Sequence, residues 1–108
     1  MTFNDYQIRA TATAVYGEGN KVHYPILGLI GEAGEVANKY KKVLRDDGGI
    51  LTPKKREELI AELGDVLWYL AALSHDLGTS LNIIAEDNLL KLEDRKTRGV
   101  IQGSGDNR

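Results

Sequence analysis

The feature that most constrains this chain is a stretch at residues 59–73, in which apolar side chains surround two carboxylates. The two acids are Glu62 and Asp65, and no other residue of the stretch is charged. Residues three apart lie on the same side of an α-helix, so a helix here presents both carboxylates together. Burying an ionised carboxylate without a partner costs several kcal/mol, so the pair must be neutralised, ion-paired or bound to a cation.

A second pair with the same spacing, Glu32 and Glu35, lies upstream among small and apolar residues. Four glycines bracket the two pairs, namely Gly28, Gly31, Gly34 and Gly64. Each glycine costs roughly 1 kcal/mol in a helix interior, where a purely structural helix would use alanine. The glycines therefore indicate close approach of another helix or of a ligand beside the acids.

Length and composition indicate one small soluble domain. The chain has 108 residues, of which 42% are hydrophobic and 28% charged. A formal charge of −2 gives no basic surface for a nucleic-acid polymer, although an acidic site can still take a nucleotide through a metal ion. The absence of cysteine excludes disulfides, thiolate zinc sites and cysteine nucleophiles. We expect no membrane association, no secretory signal and, by default, a cytoplasmic location.

Helical periodicity predicts an all-α fold of four helices, at about residues 3–15, 26–44, 53–77 and 80–96. No window has the strict alternation of a half-buried strand. Thr52 and Pro53 are expected to begin the third helix, Gly78 to end it, and Thr79 or Ser80 to cap the fourth. The short 45–53 loop predicts that the second and third helices, which carry the acidic motifs, form a central antiparallel pair.

We assign residues 1–96 to this domain and residues 97–108, which contain glycine and serine, to a mobile C-terminal tail. The third helix has apolar residues on more than one face, which is more than one neighbour in a four-helix monomer would cover. A helical homodimer or a dimer of dimers is therefore expected.

If the central helices pack as expected, the four carboxylates converge. Without a cation such convergence is repulsive and raises one or more pKa values. With Mg²⁺ or Mn²⁺ it becomes favourable, because these ions prefer oxygen ligands. The alternative is a solvated helix face in which Glu35 pairs with Lys39, and for the upstream pair alone that alternative is the stronger one. The apolar neighbours of Glu62 and Asp65, together with the glycines, favour the metal site.

Residues 31–37, Gly-Glu-Ala-Gly-Glu-Val-Ala, and residues 62–70, Glu-Leu-Gly-Asp-Val-Leu-Trp-Tyr-Leu, carry a resemblance to a known family. The chain resembles the MazG-like all-α nucleoside triphosphate pyrophosphohydrolases, whose pattern is Glu-x-x-Glu, a variable spacer and Glu-x-x-Asp. The spacer here is 26 residues long. The likeness continues into Asn-Leu-Leu-Lys-Leu-Glu-Asp-Arg at residues 88–95 and covers about residues 26–99.

The resemblance implies paired helices in a dimer or an assembly of dimers, and Mg²⁺-dependent hydrolysis of nucleoside triphosphates to monophosphate and pyrophosphate. It implies that Glu32, Glu35, Glu62 and Asp65 are metal ligands. A loosely coordinated carboxylate can act as general base, for which Glu32 and Glu35 are the candidates. The residues alone do not distinguish the two.

The resemblance also implies that Asn88, Lys91 and Arg95 contact phosphate or ribose, and their spacing places them on one helical face. For each of them a solvated, ion-paired position is the alternative. Lys39 can also reach phosphate, and Tyr69, four residues after Asp65, can contact the sugar or base. Core or interface packing is an equal alternative for Tyr69, whereas Trp68 is assigned to the core or an interface.

Two functions follow from these patterns. The first is a nucleotide-pool housecleaning enzyme that cleaves the α–β phosphoanhydride bond of ribo- or deoxyribonucleoside triphosphates. The second is a non-catalytic helical dimer that binds a divalent ion or a nucleotide for structure or regulation. No feature of the sequence specifies the base.

Overall fold

A computed structural model describes residues 1–108 and contains four α-helices and no β-strand. The helices are α1 (Phe3–Thr11), α2 (His23–Asp46), α3 (Pro53–Asp76) and α4 (Leu81–Thr97), with a short 3-10 helix at Glu18–Asn20 between α1 and α2. The all-α, four-helix prediction is confirmed. None of the helices combines the length and the hydropathy needed to cross a membrane.

The α2–α3 pair forms the centre of the fold. Gly28 of α2 lies against Tyr69 of α3, whereas Lys39 of α2 pairs with Glu62 of α3. Residue numbers thus rise along one helix as they fall along the other, so the two helices run antiparallel, as predicted. The contact at Gly28 is so close that a Cβ atom there would overlap the Tyr69 ring.

The predicted signals at the ends of α3 and α4 are confirmed. The Thr52 hydroxyl accepts a hydrogen bond from the Lys55 amide at 3.2 Å, and Pro53 is the first residue of α3. Of the two residues proposed to cap α4, Ser80 is the cap, because its hydroxyl accepts from the Ile83 amide at 3.2 Å. Gly78 has a φ of +73°, a left-handed conformation that favours glycine.

The first two helices differ from the prediction at their facing ends. Helix α1 stops at Thr11 and does not reach residue 15, and α2 starts at His23 and not at residue 26. The Thr13 hydroxyl donates to the Ala10 carbonyl at 2.7 Å and accepts from the Trp68 indole nitrogen at 2.8 Å. The hydrogen bond from Trp68 of α3 thus holds Thr13 just beyond the last residue of α1. Pro25 is compatible with α2 because it lies in the first turn, where backbone amides have no acceptor within the helix and the missing N–H of proline costs no hydrogen bond.

Helix α2 begins at a strained turn. Val22 has φ +69° and ψ −63°, and the His23 amide donates to the Lys21 carbonyl across it at 2.8 Å. These are the features of a γ-turn of the rare, strained hand, which for a non-glycine residue costs of order 1–3 kcal/mol. The Val22 amide donates to Asp76 Oδ2 at 2.9 Å, so the turn is tied to the end of α3.

Helix α4 is joined to α1 through one buried glutamine. The Gln7 side chain donates to the Thr79 carbonyl at 3.0 Å and accepts from the Leu81 amide at 2.7 Å. Both polar atoms of the amide are therefore satisfied by the loop that leads into α4. Ala10, Ala71 and Leu81 form the small buried core between α1, α3 and α4.

The residues after α4 fold back towards that helix. The buried Arg95 guanidinium donates to the Asp106 carbonyl. The Arg108 guanidinium donates to three main-chain carbonyls, those of Val100, Ile101 and Gly105. The predicted tail is thus hydrogen-bonded to itself and to α4, while its mobility stays a prediction.

Little of the chain is buried. Nine of its 108 residues are buried, and its radius of gyration is 17.0 Å. About 13 Å is typical of a compact domain of this length. Large apolar side chains remain exposed on α2, α3 and α4, among them Leu27, Ile30, Leu63 and Leu90, each more than half exposed. A single copy therefore leaves much apolar surface in water.

We predict that Gly28→Ala lowers the free energy of unfolding by about 1–3 kcal/mol, because the added methyl group overlaps the Tyr69 ring. The roughly 1 kcal/mol by which alanine favours a helix does not offset this overlap. Urea unfolding at fixed protein concentration measures the loss. In a Tyr69→Ala background the same substitution should cost nothing, and an equal cost in both backgrounds would contradict this account of the contact.

Candidate metal centre

Three carboxylates meet where α2 packs on α3. Glu32 projects from α2, and Glu62 and Asp65 project from one face of α3, as the i, i+3 spacing predicts. One oxygen of each lies within 4.8 Å of the others. Glu32 and Glu62 are half-buried and Asp65 is exposed, so the cluster lies at the edge of the helix pair and is open on one side.

Lys39 supplies the one close positive charge. Its ammonium nitrogen lies 3.2 Å from Glu62 Oε1, and the Glu62 side chain is only 14% exposed. Hydrogen bonding to Glu62 raises the pKa of Lys39, and the charges of Glu62, Glu58 and Glu35 raise it further. Lys39 therefore compensates the charge of the largely buried Glu62. The alternative considered from the sequence was an ion pair between Lys39 and Glu35. In the structure Lys39 pairs with Glu62 instead.

Glu35 is not part of the group of three. It is exposed, one helical turn beyond Glu32, and has no hydrogen-bond or ion-pair partner. Its charge still contributes to raising the pKa of Glu32. The structure thus brings together three of the four predicted acids and leaves the fourth at the margin.

The surroundings of Glu32 raise its pKa above the ordinary glutamate value. Desolvation raises its pKa first, and the charges of Asp65 and Glu62 raise it further. Such a shift is the electrostatic signature of carboxylates placed together without enough positive charge between them. A divalent cation at this point would reverse the sign of the interaction.

The donor set fits a hard divalent ion. Carboxylate oxygens are the ligands that Mg²⁺ and Mn²⁺ prefer, and no softer donor is present in the group. Neighbouring oxygens around one octahedral Mg²⁺ are about 3 Å apart, so the three carboxylates, now within 4.8 Å of one another, would have to draw closer to share one ion. The open side of the cluster leaves room for water and for phosphate oxygens.

Two aromatic rings form the wall beside the acids. Trp68 and Tyr69 line an open cavity of about 300 Å³ together with Glu32 and Asp65. The two rings meet edge to face, with centroids 5.0 Å apart. Burial raises the pKa of Tyr69, and Tyr24, Glu32 and Asp65 raise it further. Tyr69 thus lies next to the acids, where the sequence analysis expected it.

Sequence reasoning missed two neighbours of the cluster. Trp68 packs against the small buried core, in agreement with its assignment to the core or an interface, and it also lines the cavity, which its position three residues after Asp65 could have indicated. Tyr6 of α1 lies close enough to Asp65 for that charge to raise its pKa, after burial, which is the larger cause. No local pattern links Tyr6 to Asp65, because they are 59 residues apart.

The three residues of α4 that were predicted to bind phosphate lie outside the acidic cluster. Helix α4 packs mainly against α1 and α3. Asn88 and Lys91 are exposed and make no hydrogen bond or ion pair, whereas Arg95 is buried against the C-terminal residues. Within one chain the structure does not bring these three residues to the acids. Their contact with substrate stays a prediction.

We predict that Glu32→Gln raises the thermal unfolding midpoint of the metal-free protein at neutral pH, because it removes one of three converging negative charges. The sign follows from the raised pKa, since ionising Glu32 costs more in the folded chain than in the unfolded chain. That cost develops as the pH rises through the ordinary glutamate range, so the gain should vanish below about pH 4. Differential scanning calorimetry in chelator measures both effects.

Glu57→Gln, at an exposed position in α3 outside the cluster, is the matched control and should leave the midpoint unchanged. A lower midpoint for Glu32→Gln at neutral pH would contradict the repulsion inferred at the cluster.

Comparison with known proteins identifies a family model that matches the part of the chain containing these acids. Residues 22–100 match the family model described as the MazG nucleotide pyrophosphohydrolase domain. The chain is 53% identical, over 114 aligned positions that cover the whole of both proteins, to a protein of Mycobacterium phage L5 named "Gene 37 protein". That name states no activity. No solved structure matches the chain.

The family match spans α2, α3 and α4, and therefore includes all three acids of the cluster and both rings of its wall. It also extends over most of the sequence that carried the resemblance. The helical fold, the convergence of Glu32, Glu62 and Asp65, and the matched family model lead to one conclusion. This chain belongs to the MazG nucleotide pyrophosphohydrolase family.

Proposed function

We propose that this protein is a divalent-metal-dependent hydrolase of nucleoside triphosphates. It cleaves the α–β phosphoanhydride bond of ribo- or deoxyribonucleotides and releases the monophosphate and pyrophosphate, as a housecleaning activity on the cytoplasmic nucleotide pool. The observation that carries the proposal is the meeting of three carboxylate oxygens within 4.8 Å at the α2–α3 contact. Membership of the family supports the reaction class.

In this proposal Glu32, Glu62 and Asp65 hold Mg²⁺, with Mn²⁺ as an alternative. An ion held there would supply positive charge to the phosphate oxygens and would offset the charge that develops on the leaving pyrophosphate. Glu62 is held in place by Lys39 through their 3.2 Å ion pair. The Lys39 ammonium also lies close enough to the cluster to contact phosphate.

Of the two candidates for general base, Glu35 is the better placed. Glu32 is one of the three clustered carboxylates, and a carboxylate bound to a cation is a poorer proton acceptor. Glu35 is exposed at the margin of the cluster and has no partner, so it is free to orient a water molecule and take its proton. The cavity wall of Trp68 and Tyr69 receives the sugar or base.

We further propose that two or four copies associate through the exposed faces of α2 and α3. Leu27, Ile30, Gly31 and Gly34 form one stripe of α2 at helical spacing. A Cβ atom at Gly31, Gly34 or Gly64 would meet nothing within 4 Å in a single chain. Such open glycines beside exposed Ile30 and Leu63 are suited to close contact with a second copy.

Association also bears on the proposed phosphate contacts. Because Asn88 and Lys91 are exposed and make no hydrogen bond or ion pair within the chain, they are free to approach the acidic cluster of another copy. Arg95 would in addition have to leave its bond to the Asp106 carbonyl. Asn88 and Lys91 are therefore the stronger candidates of the three.

We predict hydrolysis of at least one member of a panel of ribo- and deoxyribonucleoside triphosphates in Mg²⁺, with pyrophosphate as the released product. EDTA should abolish the activity, and Mg²⁺ or Mn²⁺ should restore it. Glu62→Gln should lower kcat/KM by at least about a hundredfold, since even residues behind metal ligands are worth tenfold to a hundredfold. Product analysis by anion-exchange chromatography measures both nucleotide and pyrophosphate.

Glu58→Gln is the matched control, because Glu58 lies one turn away on α3 and makes an ordinary ion pair with Lys55 at 3.6 Å. It should retain activity within about twofold, as expected for a partly exposed pair. Full turnover in chelator would contradict the proposal. Cation binding without turnover of any nucleotide would instead support the non-catalytic alternative.

We predict that Ile30→Glu lowers the native mass to that of a smaller assembly, because it places a charge on the exposed α2 stripe. Size exclusion with light scattering measures the mass. The control is Val15→Glu, which changes another highly exposed apolar residue outside the helices and should leave the assembly intact. A monomeric wild-type protein would contradict the proposed association.

A further inference from the structure

The strained start of α2 and the end of α3 share one carboxylate oxygen. Asp76 Oδ2 accepts a hydrogen bond from the Tyr16 hydroxyl at 2.8 Å and another from the Val22 amide at 2.9 Å. Tyr16 and Asp76 are both half-buried. This three-residue contact, which we call the Asp76 latch, is made by none of the residues assigned to metal or substrate.

The latch stabilises a backbone conformation that Val22 does not favour. A β-branched residue at φ +69° is strained, and such a conformation persists only where its surroundings fix it. The Val22 amide is oriented towards Asp76 by that turn. Loss of the acceptor would remove the main polar contact that holds the turn against α3.

A row of aromatic rings connects the latch to the candidate metal centre. The ring of Tyr16 stacks on Tyr24, with centroids 4.8 Å apart and planes 19° from parallel. Tyr24, in the first turn of α2, is 6.4 Å from Tyr69 by ring centroids. Tyr69 in turn lies on the backbone of Gly28 and lines the cavity beside Glu32 and Asp65.

These contacts place Tyr69 against two neighbouring positions of one face of α2. Gly28 presents rigid helix backbone to the ring, and Tyr24, one turn earlier, presents a ring that stacks on Tyr16. Tyr24 is itself 44% exposed, so without Tyr16 it has little to keep its ring in place. The position of Tyr16 is set by its hydroxyl bond to Asp76.

We propose that Asp76 and Tyr16 are positioning residues that fix the ring of Tyr69 in the cavity wall and thereby set the affinity for the nucleoside part of the substrate. The inference rests on the proposed function for its substrate. It assigns a role to residues about three helical turns from the acids on α3, since Asp65 and Asp76 are eleven residues apart.

The test compares Tyr16→Phe, which keeps the stacked ring and removes the hydroxyl, with Asp76→Ala, which removes the shared acceptor. Each should raise KM for the preferred nucleotide about fivefold, the equivalent of one lost hydrogen bond, and change kcat by less than about twofold. The double variant should be no worse than Asp76→Ala alone, because both changes break the same contact. Tyr40→Phe and Asp87→Ala, at exposed positions without partners, should match the wild type.

A second readout needs no nucleotide. Trp68 is the only tryptophan, and its ring lies edge to face on Tyr69 at 5.0 Å. Both latch variants should therefore change the Trp68 emission spectrum, and the two controls should not. If the wild type hydrolyses no nucleotide, the proposed function fails, and these spectra alone decide whether the latch positions the ring.

Unchanged spectra in Tyr16→Phe and Asp76→Ala would overturn the inference, whatever the activity of the wild type. So would unchanged KM in an active enzyme, or a fall in kcat that follows the loss of stability while KM stays constant. If Asp76→Ala does not fold, Tyr16→Phe carries the same test, because its ring packing is preserved.

Discussion

Mutual repulsion among Glu32, Glu62 and Asp65 is the constraint on which the rest of this structure depends. The acids lie where α2 and α3 pack, so the helix pair that forms the centre of the fold also bears its least favourable charges. Lys39 compensates part of that charge through Glu62, and the raised pKa of Glu32 shows that the compensation is incomplete. A structure with only nine buried residues has little stability to offset the repulsion in such a cluster. A bound cation would therefore stabilise the helix pair as well as take part in the proposed chemistry.

The close contact of Gly28 with Tyr69 explains how α2 and α3 come near enough for the three carboxylates to meet. The Tyr69 ring lies where a Cβ atom of residue 28 would be, so no larger residue at position 28 would permit this contact. The same ring forms the wall of the acidic cavity, so one packing contact fixes both the helix pair and the site. The other glycines of the motifs, Gly31, Gly34 and Gly64, make no such close contact between helices, since they face open space in a single chain.

Local patterns predicted the helices, the antiparallel α2–α3 pair and the convergence of four acids, three of which meet in the structure, because helical periodicity and i, i+3 spacing depend only on nearby residues. Contacts between distant residues escaped prediction. The early end of α1 depends on the Thr13–Trp68 hydrogen bond, and the early start of α2 includes a turn tied to Asp76, 54 residues away. Arg95 shares a helical face with Lys91 in sequence, yet its role in the structure is set by the Asp106 carbonyl after the helix has ended. Glu35 has the right spacing, but it lies outside the group that meets Glu62 and Asp65.

The central claim is that Glu32, Glu62 and Asp65 together bind a divalent ion, and electron paramagnetic resonance of Mn²⁺ tests it most directly. Free Mn²⁺ gives a strong six-line signal that is lost when the ion is bound, so titration of the protein counts bound ions without any nucleotide. The account predicts saturable binding by the wild type and by Glu58→Gln, and strongly weakened binding by Glu32→Gln, Glu62→Gln and Asp65→Asn. Equal binding by all five proteins, or none by the wild type, would contradict it.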